Sequence, residues 1–242
     1  MASIAAGVLS KLREFDTPTV CNLIELFEMR PRNEGYMDAR IRACFPEMAP
    51  IVGFASTATF RSAKPPRAGG AYSGLSQQTE GFKDLSGPAV VVFQDLDDPA
   101  AGATFGEVMC STYKAFGAVG LITSGAGRDL DQVRAIGFPV FTGGTVCSHG
   151  YNHIPQIGVP VRVGGLTVYP DDMLHADCNG VASVPKEIAA EVADIGDDFM
   201  KAEAILIEPL RDDPSEASLV EARRAYGEIV SGLRRRVSRN AT

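Results

Sequence analysis

The hydrophobic positions of this chain fall into two patterns that alternate along its first 150 residues. Continuous apolar runs such as AVVVF (89–93) are typical of strands that are covered on both faces. Apolar residues at helical spacing follow such runs, as at Phe105, Met109, Tyr113 and Phe116. The predicted strands here are 51–60, 89–93, 118–122 and 138–141, and the predicted helices begin near 18, 106 and 129. This alternation predicts a parallel or mixed sheet with right-handed crossovers.

Proline and glycine mark the first helix and the first long loop. In Asp16-Thr17-Pro18, Thr17 is the expected N-cap and Pro18 the first helical residue, and Pro31 ends the helix. Residues 61–87 are polar and rich in Gly, Ser and Pro, which favours a long surface loop or lid.

The second half of the chain has a different pattern, with short predicted strands followed by helices. Four short strands, predicted at 159–163, 166–169, 173–176 and 180–184, are separated by turns, and helical patterns follow Pro185 and cover about 215–237. Since no segment reads as a linker, we expect a single domain over 1–242. Its core would span about 15–200, with helical appendages at both ends and a C-terminal helical extension over about 210–242.

Composition and charge exclude several classes of protein. The chain is 45% hydrophobic and carries a formal net charge of −7, which argues against a nucleic-acid partner. The basic cluster Arg234–Arg236 with Arg239 is interpreted as a solvated helix end. Five widely spaced cysteines without a C-x-x-C pair indicate reduced thiols. Without a signal peptide or an apolar membrane span, we expect a cytoplasmic protein with no membrane partner.

Two loops leave the carboxyl ends of neighbouring predicted strands, where open α/β sheets bind ligands. The first loop leads into a helix N-terminus at Gly106, Glu107, Val108 and Met109, whose unpaired N–H groups suit a small carboxylate. The second loop, TSGAGRD (123–129), carries Arg128 and Asp129.

The residue types in these two loops suit a 2-oxo acid. Arg128 is a fork-shaped clamp for a carboxylate or an enolate oxygen, and Asp129 with waters could hold Mg²⁺. From spacing alone, an adjacent Arg and Asp more often form a surface ion pair than part of an active site.

Three segments of the chain resemble one known family. FGEVMCSTYKAFGAVGLITSGAGRDLDQVRAIGFPVF (105–141) is similar to the core of the RraA-like family (regulator of ribonuclease activity A), which includes metal-dependent 4-hydroxy-4-methyl-2-oxoglutarate aldolases. FDTPTVCNLIE (15–25) and GVPVRVGGLTVYPDDMLHADCNGVASVP (158–185) resemble its first and last segments.

The resemblance implies a fold, an assembly and residue roles. The fold is a swivelling β/β/α-type α/β sandwich that forms homotrimers or homohexamers, with active sites between subunits. Gly106, Glu107, Val108 and Met109 would bind the pyruvyl end of the substrate, Arg128 would bind it and stabilise the enolate, and Asp129 would bind Mg²⁺ or Mn²⁺. The expected reaction is retro-aldol cleavage of a 4-hydroxy-2-oxo dicarboxylic acid to pyruvate, with oxaloacetate decarboxylation as a side activity.

The chain departs from the family pattern at Ser124, at 142–144 and at Asn179, which leaves the exact substrate open. The general acid or base is also open, and a carboxylate such as Glu203 from a neighbouring subunit is one candidate. Alternatives to the aldolase are a non-catalytic regulator that acts by protein–protein binding, and a sister lyase or decarboxylase for a sugar-derived oxo acid.

Other candidate residues carry weaker signals. His149 and His153 are interpreted as surface or subunit-contact residues, because Gly150 and Pro155 favour a loop there. Cys110 and Cys147 are interpreted as non-catalytic thiols. The sequence contains no G-x-G-x-x-G or P-loop pattern for a nucleotide cofactor.

Overall fold

A mixed sheet lies at the centre of the molecule in the computed structural model, which describes residues 4–67, 69, 74–212 and 215–238. Within these residues the sheet has eight strands in the order β1-β7-β5-β3-β2-β12-β13, with β9 paired to β2. The strands are β1 (Arg42–Ala43), β2 (Ile51–Arg61), β3 (Ala89–Asp95), β4 (Ala103–Phe105), β5 (Gly120–Thr123), β6 (Ala126–Gly127), β7 (Val140–Thr142), β8 (Gly144–Thr145), β9 (His153–Ile157), β10 (Val161–Val163), β11 (Leu166–Val168), β12 (Met173–Asp177) and β13 (Gly180–Val184). The helices are α1 (Ala6–Leu12), α2 (Thr17–Glu25), α3 (Leu75–Glu80), α4 (Glu107–Ala115), α5 (Leu130–Ala135), α6 (Ala189–Asp212) and α7 (Glu216–Ser238).

Strands β2, β3, β5 and β7 pair in parallel, as the apolar runs predict. Their residues alternate between two buried faces. Val91, Phe93 and Leu121 face the helices, whereas Val90, Val92 and Ile122 pack towards the β10–β11 hairpin. The result is a layer of helices, a central sheet and a smaller β layer. The predicted α/β fold is therefore confirmed.

A second, smaller sheet sits at the carboxyl ends of the parallel strands. It consists of β4, β6 and β8, which pair in parallel. The hydrophobic pattern does not predict any of these strands, because two or three residues are too few to show a periodic alternation of apolar and polar positions. This sheet joins the two loops that carry the candidate chemistry.

Two details of the N-terminal half differ from the prediction. The N-cap of α2 is Asp16, not Thr17, because the Asp16 carboxylate accepts a hydrogen bond of 2.7 Å from the Thr19 N–H. The helix ends at Glu25, ahead of Pro31. The expected loop over 61–87 contains α3, whose Gln78 is fully buried and bonds to the Tyr113 hydroxyl. The part of that loop prediction at 68 and 70–73 lies outside the described residues.

Helices α6 and α7 pack against each other and against the N-terminal helices. Leu233 and Val237 of α7 join the same core cluster as Leu12 of α1 and Leu23 of α2. The predicted helix end at the C-terminus is confirmed, but its basic residues are not simply solvated: Arg236 bonds to Asp194 and Asp198 of α6. Arg239 lies outside the described residues, and a single domain over 1–242 stays a prediction.

Two sequence-based expectations concern cysteines and membrane spans. All five cysteines lie in the described residues, and none of them forms a disulfide bond. Among the helices that the structure describes, none combines the length and the hydrophobicity needed to cross a bilayer.

A buried histidine connects the N-terminal helices to the sheet. The His175 side chain is fully buried in β12, with Nε2 3.0 Å from the Leu12 carbonyl and Nδ1 2.9 Å from the Thr17 hydroxyl. Since a carbonyl only accepts, Nε2 carries the proton and Nδ1 accepts from Thr17. Burial lowers the pKa of His175 below its usual 6.5, with the Leu12 carbonyl as an opposing effect. The structure therefore holds this imidazole neutral.

The lowered pKa predicts how stability depends on pH. Because the unfolded chain binds the His175 proton more readily, the contribution of this residue is complete above about pH 6.5 and is lost as the pH falls, by at most about 1.4 kcal/mol per pH unit. His175→Gln should be less stable than wild type at pH 8, and the gap should narrow towards pH 5. Urea unfolding of both proteins from pH 5 to 8 measures the gap. A gap that stays constant over this range would contradict the prediction.

Candidate active site

The N-terminus of α4 forms the floor of the candidate site. Gly106 precedes the helix in extended conformation, and no hydrogen bond from the N–H groups of Val108 or Met109 to the described residues is found. A Cβ at Gly106 would lie 2.6 Å from the Asp129 carboxylate and 3.1 Å from Arg128 Nε. The absence of a side chain at Gly106 thus lets both charged groups lie against the start of the helix.

Backbone contacts between β4 and β6 fix the turn that carries Arg128 and Asp129. The Arg128 N–H donates to the Phe105 carbonyl at 3.1 Å, and the Thr104 hydroxyl donates to the Ala126 carbonyl at 3.0 Å. A Cβ at Gly127 would lie 2.1 Å from the Phe105 ring, so glycine is needed there. The turn therefore has one position relative to α4.

Asp129 adopts an unusual backbone conformation at this turn. Its φ of 55° and ψ of 40° lie in the left-handed region, which Asp and Asn tolerate better than most residues. Its Oδ2 accepts the Glu107 N–H at 3.1 Å and lies 3.7 Å from Arg128 Nε. The structure thus brings Gly106, Glu107, Arg128 and Asp129 together, as the sequence predicts, with Val108 and Met109 on the same helix turn.

The donors around Asp129 are compatible with a divalent cation. Its carboxylate is partly exposed, and Oδ1 forms no hydrogen bond with the described residues, which leaves it open to a hydrated ion. Mg²⁺ commonly binds through one or two carboxylates and keeps several waters. Within the described residues, no three His, Cys, Asp or Glu side chains converge on a shared metal position. Among the described residues, Asp129 is therefore not part of a cluster of three or more such ligands.

The cleft beside Arg128 has a second wall that the sequence interpretation missed. His149 and Asn152, from the segment between β8 and β9, line this cleft together with Arg128, Gly106 and Met109. Asn152 is 3% exposed, and its Oδ1 has no hydrogen-bond partner among the described residues. His149, which the sequence analysis interprets as a surface or subunit-contact residue, is partly buried and lines this cleft; its interpretation as a subunit-contact residue stays a prediction. The sequence of this loop does not indicate that it lines the cleft, because residues 149–152 come next to Arg128 only in the folded chain.

Ser124 and Asp95 support the turn from the side of the main sheet. The Ser124 hydroxyl accepts the Asp95 N–H at 2.9 Å, so this departure from the family pattern has a structural role. Burial raises the pKa of Asp95 to about 6, while the Asp97 N–H bonded to its carboxylate opposes that rise. A Cβ at Gly125 would lie 2.5 Å from the Asp95 carboxylate, which packs directly against the turn.

The other candidate residues lie elsewhere. Glu203 is on α6, where burial and the charge of Asp16 raise its pKa and Asn22 hydrogen-bonds to it. Cys110 is a residue of α4 with its side chain buried in the core, and His153 begins β9. Asn179 donates to the Asp177 carboxylate in the β12–β13 turn. None of these four residues lines the cleft beside Arg128.

Comparisons with known proteins agree with this arrangement. A family model described as Aldolase/RraA, of the RraA-like type, matches residues 17–182. A protein of Halalkalibacterium halodurans, provisionally named a 4-hydroxy-4-methyl-2-oxoglutarate aldolase, is 31% identical over 100 residues. That match covers 41% of this chain and 48% of the relative, so the chain spans about half the length of the relative.

Solved structures share the fold. A structure described as an uncharacterized protein from Pseudomonas syringae pv. tomato superposes with a TM-score of 0.72 at 23% identity, covering 93% of this chain and 96% of that one. Streptomyces coelicolor RraAS2, described as an unusual member of the RNase ES inhibitor RraA protein family, gives 0.67 at 24% identity over 84% of this chain and 96% of its own. At these identities the likeness concerns the fold.

The same substitution to alanine should destabilise the protein to different extents at two glycines of the site. Gly127→Ala should destabilise the protein by about 1–3 kcal/mol, because the new Cβ overlaps the buried Phe105 ring. Gly106→Ala should cost less than about 1 kcal/mol, because the movable ends of Asp129 and Arg128 can yield. Urea unfolding of the two variants measures both values, and equal losses would contradict this account of the turn.

Proposed function

Because this chain belongs to the Aldolase/RraA family, we propose that it is a divalent-metal-dependent lyase that cleaves a 4-hydroxy-2-oxo dicarboxylic acid to pyruvate and a second oxo acid. The observation that carries the proposal is the convergence of Arg128, Asp129 and the N-terminus of α4 around Gly106. A fold alone would not justify this step, since one fold supports many functions.

The substrate carboxylate suits the start of α4. The free N–H groups of Val108 and Met109 and the positive end of the helix dipole favour a small anion there. The Arg128 guanidinium, with a side chain 27% exposed, lies beside them and can donate two parallel hydrogen bonds.

Cleavage of the C3–C4 bond places negative charge on the 2-oxo oxygen as the pyruvate enolate forms. In this proposal Arg128 donates to that oxygen while the α4 amides hold the carboxylate, which keeps the reacting bond in one orientation. Mg²⁺ or Mn²⁺, when bound at Asp129, supplies Lewis-acid polarisation of the 2-oxo group. Oxaloacetate decarboxylation needs the same stabilisation of an enolate, so we expect it as a side activity.

The proposal includes a homotrimer or homohexamer with sites between subunits. Val108 is 61% exposed at the mouth of the cleft, so the site of a single chain has an uncovered apolar edge. A neighbouring subunit placed over Val108 would exclude water from the reacting groups.

Two alternatives remain within the family. A regulator that acts by protein–protein binding would not require an Arg and an Asp held at a helix N-terminus, which favours the lyase. A lyase or decarboxylase for a sugar-derived oxo acid would use the same pyruvyl subsite and differ only in the rest of the cleft.

Removing the Asp129 charge should abolish the Mg²⁺-dependent lyase activity. We prefer Asp129→Asn to Asp129→Ala, because Asn tolerates the left-handed backbone at φ 55°. Loss of the only expected protein ligand should weaken Mg²⁺ binding by at least about 100-fold, since changing even an outer-shell partner costs about 10–100-fold. Pyruvate release from 4-hydroxy-4-methyl-2-oxoglutarate, with Mg²⁺ and with a chelator, is the measurement. Full activity of the variant at low Mg²⁺ would refute the assignment.

Arg128→Lys keeps the charge but loses the planar fork. If Arg128 stabilises the enolate, the substitution should cost roughly 2.7–4 kcal/mol, about a hundred- to thousand-fold in turnover. If Arg128 only pairs with Asp129 at 3.7 Å on a partly exposed surface, the pair contributes about 0–1 kcal/mol and the variant stays active. Steady-state kinetics of the variant separates these outcomes, with urea unfolding as the control for stability.

A further inference from the structure

The wall of the cleft opposite the helix N-terminus is anchored on both of its flanks. The Ser148 carbonyl accepts the Ala103 N–H at 2.8 Å, and the Tyr151 N–H donates to the Ser62 carbonyl at 2.8 Å. A Cβ at Gly102 would lie 2.7 Å from the His149 carbonyl carbon and oxygen, so the His149 backbone lies directly on Gly102. His149 is therefore fixed to β4, the same strand that positions Arg128.

The His149 ring is oriented with one nitrogen towards the backbone. Nδ1 lies 2.7 Å from the Gly150 carbonyl, and since that oxygen only accepts, Nδ1 carries a proton. Nε2 makes no hydrogen bond to the described residues. In the neutral ring Nε2 is thus a free acceptor. Catalytic histidines often have this arrangement, in which a backbone carbonyl bonded to Nδ1–H fixes the tautomer.

Asn152 shows independently that this wall lacks a polar partner. Its side chain is nine-tenths or more buried, lines the cleft with Arg128 and His149, and leaves Oδ1 unpaired among the described residues. Buried polar groups are nearly always hydrogen-bonded, so each exception requires an explanation. The void beside it measures about 10 Å³, so one ordered water or one hydroxyl group of a ligand would supply the missing bond.

We propose that His149 is the general base of the retro-aldol reaction, and that Asn152 binds the hydroxyl-bearing half of the substrate. This inference rests on the proposed lyase function and names the group that the sequence left open. Nε2 takes the proton of the 4-hydroxyl, the C3–C4 bond breaks, and the C4–O bond becomes a carbonyl. The electron pair of the broken bond passes into the pyruvate enolate, whose oxygen Arg128 faces. The Nε2 proton then returns to C3, which completes pyruvate and restores the neutral ring.

Decarboxylation of oxaloacetate separates this role from that of Arg128. Loss of CO₂ breaks the same C3–C4 bond and forms the same enolate, but there is no hydroxyl proton to remove. A base at His149 is therefore needed for one reaction and not for the bond cleavage in the other. A structural role for His149 would affect both reactions alike.

His149→Ala is the test variant, and His153→Ala is its matched control. His153 also bonds through Nδ1 to a backbone carbonyl, that of Tyr151 at 2.8 Å, but does not line the cleft. With Mg²⁺ present, pyruvate release from 4-hydroxy-4-methyl-2-oxoglutarate should fall about 100-fold or more in His149→Ala, in the range of general-base catalysis. The rate of oxaloacetate decarboxylation by His149→Ala, after subtraction of the rate with Mg²⁺ alone, should fall far less. Added imidazole should restore part of the retro-aldol rate, and His153→Ala should match wild type in both assays.

A spectroscopic readout completes the experiment without substrate or metal. The chain has three histidines, so long-range ¹H–¹⁵N spectra should resolve every ring, with His149 assigned by its loss in the variant. We expect neutral His149 to carry its proton on Nδ1, and a proton on Nε2 would overturn the proposal. Parallel losses of both reactions in His149→Ala would overturn it as well, while leaving the lyase intact. If the wild-type protein catalyses neither reaction, both the proposed lyase function and this inference are refuted.

Discussion

The candidate site depends on the close approach of two backbones, that of the 123–129 turn and that of residues 103–107. Three glycines allow it: Gly106 faces Asp129, Gly125 faces Thr104 as well as Asp95, and Gly127 faces the Phe105 ring. In each case a methyl group would occupy space that a neighbouring group already fills. The positions of a charged pair and a helix N-terminus are thus determined by steric exclusion, while the ion pair itself, at 3.7 Å and partly exposed, contributes little.

Much of the fold could be predicted because its central strands are buried on both faces. Continuous apolar runs at 89–93 and 118–122 identify parallel strands directly, and the edge at which their loops emerge follows from that. The N-cap at Asp16 and the helix at 75–80 were not predicted. The first depends on a choice between neighbouring capping residues, and the second on the burial of polar Gln78 by Tyr113.

The site itself was predictable in part. Arg128, Asp129 and Gly106 lie in two segments whose spacing suggests that they meet, and the structure brings them together. The wall at 148–152 could not be found in this way, because it comes from a connection between two short strands that have no hydrophobic period. Its placement results from backbone hydrogen bonds to Ala103 and Ser62, and backbone hydrogen bonds between distant segments cannot be predicted from a sequence pattern.

The bonds of His175 to Leu12 and Thr17 join parts of the chain that are 163 and 158 positions apart. The apolar face of α1 and α2 packs against Val52 and Phe54 of β2 and is completed by Met173, Val184, α6 and α7. During synthesis at about 5–20 residues per second, the first two helices would therefore wait on the order of 10–30 s for their partners. Over that interval Leu12, Val20 and Leu23 are exposed on the nascent chain. The N-terminal helices thus gain the rest of their core only when the last third of the chain has been made.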